Sequence, residues 1–403
     1  MSLTACSSGG DDAKPAGQAA PTDEEPAAEE PRPSPGFSTE PTTALTEHYV
    51  GQASGALNSE TAYLADHGGL TAYDLETGEE RWRLEPEAPG LDAYGPDDIP
   101  TEKADLNFFQ SGLSHLAEPI LTDVAGTEAV LAARLVDLGE AVGGSLQLAD
   151  AESGDQLWST ELRPEFWETN AATPTLYLGE VHDERVAVTV SNGSYMEPGS
   201  LVFEHFVIDL GDGEVLRELG ADVSYAGHAN GTLYTQERLA GGASGDLVAR
   251  DPATGEEKWR TELPGAYGTV YGPWILVSDS GDGARLLSAE DRSIVRDAGE
   301  GLDGVRQCDY DPALIALVCV TEEEIVGVGE DGQIAWTTPT DGSYTSTRLF
   351  NGYLYAQPAG ELIVLDVLTG ETVTENVTTT PHAAGPTGVL LTEGTTVSFH
   401  AAE

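Results

Sequence analysis

YDLETGEERW at residues 73–82 returns as ADAESGDQLW at 149–158 and as RDPATGEEKW at 250–259. In each copy an Asp is followed four residues later by Gly and eight residues later by Trp: Asp74/Gly78/Trp82, Asp150/Gly154/Trp158 and Asp251/Gly255/Trp259. Each residue type has a local task. An Asp carboxylate accepts backbone N–H groups inside a turn, Gly takes positive φ, and Trp brings a large apolar face to the departing strand. One copy would mark a hairpin, whereas three in a fixed frame mark a repeat architecture.

Weaker copies keep the frame. Asp209/Gly213 ends in Arg217, Gly332/Trp336 has Val328 at the Asp position, and Asp366/Gly370 has Thr374 at the Trp position. A further copy, in LLSAEDRSIVRDA, keeps only a strand-turn-strand outline around Asp291, with Arg292 in the place of Gly. The turn positions are then 78, 154, 213, 255, 292, 332 and 370. The later gaps of 42, 37, 40 and 38 residues each suffice for four short strands. The first two gaps, 76 and 59 residues, imply insertions.

This pattern resembles the quinoprotein-type repeat of PQQ-like β-propellers, which include outer-membrane assembly factors of the BamB type. The resemblance covers roughly residues 42 to 403 and implies an all-β propeller of four-stranded antiparallel blades. It says little of function, because one scaffold hosts many activities. The residues after Gly370 read as three strands around 380–386, 388–392 and 396–400, one short of a blade. The segment Ala44 to Val50 can supply the fourth, which predicts eight blades closed by an N-terminal strand. Seven blades follow instead if the unit around Asp291 is not a full blade. Short β-rich runs punctuated by 47 glycines and 23 prolines agree with either count.

The chain divides into residues 1–41 and a propeller at 42–403. Leu3-Thr4-Ala5-Cys6 resembles the bacterial lipobox, whose Cys carries the lipid. No apolar signal core precedes it here, so that segment is taken as removed. Residues 7 to 41 are rich in Ala, Pro, Glu and Asp and read as an extended tether of about 100 Å at most. Cys308 and Cys319 flank DYDPALIALV, a hairpin across which they can pair as a disulfide in an oxidising compartment; two buried free thiols are the alternative.

Lys and Arg number 18 against 70 Asp and Glu, a formal charge of -52. Nucleic acid is excluded as a partner, since phosphate binding needs a basic surface. Anionic headgroups are repelled likewise, leaving the lipid as the membrane contact. The motifs that suggest chemistry fail on context. Gly327-Val-Gly-Glu-Asp-Gly332 matches a dinucleotide fingerprint but leads into a strand rather than a helix. Asp279-Ser-Gly-Asp282-Gly283 lacks the spacing of a calcium loop. Eight histidines are scattered without a metal-binding spacing, and there is no nucleophile elbow, P-loop or C-x-x-C. The vicinal cysteines of quinoprotein alcohol dehydrogenases are missing, so no cofactor is expected.

Topology supplies what motifs do not. With strands A to D in each blade, A–B and C–D turns share one end, while B–C loops and D–A crossings share the other. The insertions at 86–126 and 163–176 are of the second kind and predict a raised, partly aromatic rim, with Phe108, Phe109 and Trp167 as candidate partner-binding residues. The expectation is a monomeric, non-enzymatic extracytoplasmic lipoprotein that holds a protein or envelope component. Composition and tether look actinobacterial. The rival readings are a quinone-dependent or hydrolytic enzyme and a ligand-sensing propeller.

Overall fold

The computed structural model describes residues 34–46, 54–66, 69–85, 117–137, 142–164, 175–182, 184–192, 202–220, 222–238, 244–263, 266–279, 283–297, 300–340, 347–357, 362–374, 377, 379–393 and 396–403. They form eight four-stranded antiparallel sheets. Blades 1 to 7 run A-B-C-D in chain order over 54–84, 120–162, 175–219, 223–261, 266–296, 307–339 and 347–374. Blade 8 takes Ala383–Gly385, Gly388–Glu393 and Thr396–Ala401 as A, B and C, and Thr43–Thr46 as D. The unit around Arg292 is thus a full blade, and the count is eight.

The repeat spacing is explained by hydrogen bonds. Asp74 Oδ1 accepts the N–H of Glu76 at 3.0 Å and of Thr77 at 2.8 Å, while Gly78 N donates back to Asp74 O at 2.8 Å. The Asp oxygen repeats its pair of bonds at Asp150, Asp251 and Asp366. Gly78 sits at φ 73°, where a Cβ is strained. In blade 5 Ser288 Oγ replaces the carboxylate, accepting from Glu290 and Asp291, and Arg292 itself takes φ 65°.

Trp is the link between blades. Trp82 Nε1 donates to Ala151 O at 3.2 Å, Trp158 to Leu210 O at 2.8 Å, and Trp336 to Val367 O at 2.7 Å. Each acceptor lies one residue beyond the Asp position of the next blade's turn. The same turn's Gly admits the indole: a Cβ on Gly154 would lie 2.6 Å from Trp82, and one on Gly213 2.7 Å from Trp158. Blade 4 varies the rule, with the Arg292 guanidinium stacked 5.3 Å over Trp259. At the ring closure Thr43 stands in the Trp position, and its hydroxyl donates to Leu75 O at 2.7 Å.

Packed structure begins earlier than residue 42. Phe37 is buried and bridges Ala402; Ser38 N donates to Ala401 O at 2.9 Å, and Tyr355 Oη to Pro35 O at 3.0 Å. These contacts tie residues 35–38 to blades 7 and 8. Among the described residues seven apolar clusters form the core, each between neighbouring sheets. None of the seven joins blades 3 and 4.

Candidate functional site

The two faces of the disc differ in kind. On the face with A–B and C–D turns, connections are short and several hold non-glycine residues at positive φ: Ala125, Glu184, Asn230, Arg292, Ile315 and Asn351. On the other face lie the B–C loops and D–A crossings, among them 85–119 and 163–174. A recess of about 350 Å³ opens there, lined by Gly301, Asp303, Gly304 and Thr321 to Glu324. The strand order places the short A–B and C–D turns on one face and the B–C and D–A connections on the other.

Strand A is innermost, since the first strands of successive blades lie against one another. Tyr177, Tyr267 and Gln307 each pair with the fifth residue of strand B in blades 3, 5 and 6, and Tyr225 with the fourth in blade 4. They therefore stand at one level of the channel, toward the looped face. Tyr267 is 61% exposed and Tyr177 38% exposed, large values for rings on an inner strand. In blade 6, Asp309 accepts from Thr347 Oγ1 of blade 7 at 2.8 Å and from Gln307 Nε2 at 3.2 Å. Burial pushes the Asp309 carboxyl up, against those hydrogen bonds and the nearby Arg348 charge.

Arg348 of blade 7 meets Glu118, just ahead of blade 2, at 3.1 Å. Blades 8 and 1 lie between them in the ring, so the pair reaches across the channel mouth. Half-buried His382 sits in the field of both, with its pKa lowered by burial first and by Arg348 second. The mouth is thus aromatic on blades 3 to 5 and polar on blades 6 to 8.

Between blades 3 and 4 the packing is polar and aromatic. His205 and His228 are buried; Thr189 Oγ1 meets His205 Nδ1 at 2.8 Å, Tyr225 N donates to His205 Nε2 at 3.2 Å, and Tyr225 Oη meets His228 Nδ1 at 3.2 Å. The imidazole of His205 also stacks on Phe203. In the Trp position Arg217 covers Gly255 and donates to Ala253 O at 3.1 Å.

Cys308 and Cys319 form the disulfide, joining directly opposed residues of strands A and B in blade 6. Cys6, Phe108, Phe109 and Trp167 lie outside the described residues. Sequence reasoning missed Tyr177, Tyr225, Tyr267, Asp309 and Arg348, because the A–B turns differ in length and no fixed spacing along the chain aligns these residues. Gly327–Gly332 is a C–D turn and Asp279–Gly283 a B–C connection, as read from context. Among the described residues no three His, Cys, Asp or Glu side chains are placed to hold a metal ion.

A protein-family model described as "Outer membrane protein assembly factor BamB" matches residues 44–272 and 142–398. The outer membrane protein assembly factor BamB of Nitrosomonas eutropha is 30% identical over 169 residues, 38% of this chain and 38% of that protein. The chain therefore spans well under half the length of that curated relative. Among solved structures, BamB from Moraxella catarrhalis shares 15% identity at a TM-score of 0.41, over 77% of this chain and 80% of that one. The computationally designed Ika8 protein shares 12% at 0.48, over 89% and 97%.

Proposed function

Because the chain belongs to the family of outer membrane protein assembly factor BamB, we propose that it is a non-enzymatic scaffold, lipid-anchored through Cys6 and acting as a monomer. It holds a protein or another envelope component on its looped face. Family membership and the disulfide support an extracytoplasmic location. The relatives' names speak of outer-membrane assembly; the partner of this chain is left to experiment.

One observation carries the choice of face. Strand C of blade 8 runs toward the turn face, where Ala402 N donates to Thr387 O in the A–B turn at 2.9 Å. Phe37 pairs with Ala402, and Glu403 N donates to Gly36 O at 3.1 Å. The N-terminal segment thus joins the disc on the turn face. A chain tethered from that side presents its looped face outward.

The test is crosslinking in native membranes from photoreactive residues placed at Glu322, on the looped face, and at Glu152, in a C–D turn. A discrete adduct from Glu322 alone is expected. An adduct from Glu152 alone would reverse the face, and retention of Cys6→Ser in the membrane fraction would remove the lipid anchor.

A further inference from the structure

The channel mouth has uncommitted binding capacity that the scaffold reading does not use. Tyr267 presents most of its ring to solvent, and its hydroxyl has no hydrogen-bond partner among the described residues. Gln307 uses its amide N–H on Asp309, leaving Oε1 without a partner among those residues. Arg348 uses Nη1 on Glu118, and its other N–H groups make no hydrogen bond among the described residues. Tyr225 leans from blade 4 onto blade 3, where a Cβ at Gly179 would lie 3.3 Å from its hydroxyl, so it stands close beside the strand of Tyr177.

Flat aromatic faces on one wall and planar amide, carboxylate and guanidinium groups on the other suit one ligand chemistry. Sugar rings offer an apolar C–H face for stacking and vicinal hydroxyls for paired hydrogen bonds. We propose that the mouth binds a neutral oligosaccharide, stacked on Tyr177, Tyr225 and Tyr267 and hydrogen-bonded by Gln307, Asp309 and Arg348. The charge of -52 disfavours acidic polysaccharides. A peptide is the weaker fit, because the polar wall is built of side chains that present paired donors and acceptors in fixed planes. The site needs neither the lipid anchor nor a protein partner.

The full chain is titrated calorimetrically with chitotetraose and with mannotetraose, and the contacted sugar protons are mapped by saturation-transfer NMR. Binding of at least one tetrasaccharide is expected. Tyr267→Ala should weaken it about tenfold, since most of that ring's face is exposed for stacking. Gln307→Ala should weaken it about fivefold. Leu157→Ala, on an outer strand, should leave affinity unchanged, and melting curves of all variants report folding. The proposal is overturned if neither tetrasaccharide binds below about 10 mM, or if Tyr267→Ala leaves affinity unchanged. It also fails if a proline- and arginine-rich decapeptide binds at the mouth while both saccharides do not. Loss of all crosslinked partners would affect the scaffold reading and leave these outcomes intact.

Discussion

The seam between blades 2 and 3 and the seam between blades 3 and 4 do the same job with opposite chemistry. In the first, Trp158 fills an apolar cluster with Leu146, Leu148, Val186, Phe206 and Ile208, and its one polar atom reaches Leu210 O. In the second, Arg217 occupies the Trp position, and Phe203, His205, Tyr225 and His228 form the packing. Apolar burial contributes in proportion to area, whereas buried polar contacts offset their own desolvation and add little net. The repeat therefore fixes position at both seams but strength only at the first. It is also the polar seam that supplies Tyr225 to the channel mouth.

Trp158→Ala is the harshest way to erase this difference. It removes the largest side chain of the first seam and leaves a cavity, and the expected loss is about 3–5 kcal/mol in urea unfolding. Trp158→Phe keeps most of the packing and orphans Leu210 O, for about 1–2 kcal/mol. Equal losses for the two would mean that the apolar cluster is not what holds the seam.

Reduction of Cys308–Cys319 acts away from both seams. The bond closes a short loop, with a sequence separation of 11, inside blade 6. Its loss from the unfolded-state constraint should cost about 3 kcal/mol, read as a lower unfolding midpoint in reductant. Hydrogen exchange should then rise in blade 6 and stay unchanged at Trp158. Arg217→Ala comes next, at about 1 kcal/mol, because it removes only a half-exposed charged donor to Ala253 O and its cover over Gly255. A loss as large as that of Trp158→Ala would abolish the contrast between the seams.

Much of this contrast was legible in the sequence, and the reason is local. Asp74, Gly78 and Trp82 act within one turn and the next, so their spacing is fixed along the chain. Arg292 and Arg217 fill the same geometry with different chemistry, which is why their copies read weakly. The N-terminal strap was not legible: Phe37 is a single apolar residue in a proline-rich stretch, and burial by one side chain leaves no periodic trace. Nor was the mouth, because each strand A gives it one or two side chains whose common level exists only after the strands are paired. Topology could place the inserted loops on one face, but no spacing rule could align Tyr267 with Gln307.

Acid should test the Asp-bearing turns with the smallest effect. The Asp74 carboxyl is held down to about 2, from an ordinary 3.8, first by Arg81 and then by Thr77. Asp150 and Asp251 are lowered chiefly by the backbone N–H groups of Ser153 and Thr254, and Asp291 by the Ser293 hydroxyl. A carboxyl with a depressed folded pKa stabilises fully above its unfolded value, and that contribution is lost as pH falls through the folded one. Asp309 has the opposite sign: burial raises its pKa, so protonating it on acidification favours the folded state. Discharge of part of the -52 also relieves self-repulsion. The melting temperature at constant ionic strength should therefore hold or rise from pH 7 to about 5 and fall below about 4, as the turn carboxylates begin to take up protons. Asp74→Asn should lower the plateau and shallow the fall, since the variant has already lost its charged bond to Arg81. A melting temperature that climbs without a break to pH 2.5 would mean that repulsion, rather than the turns, governs every seam alike.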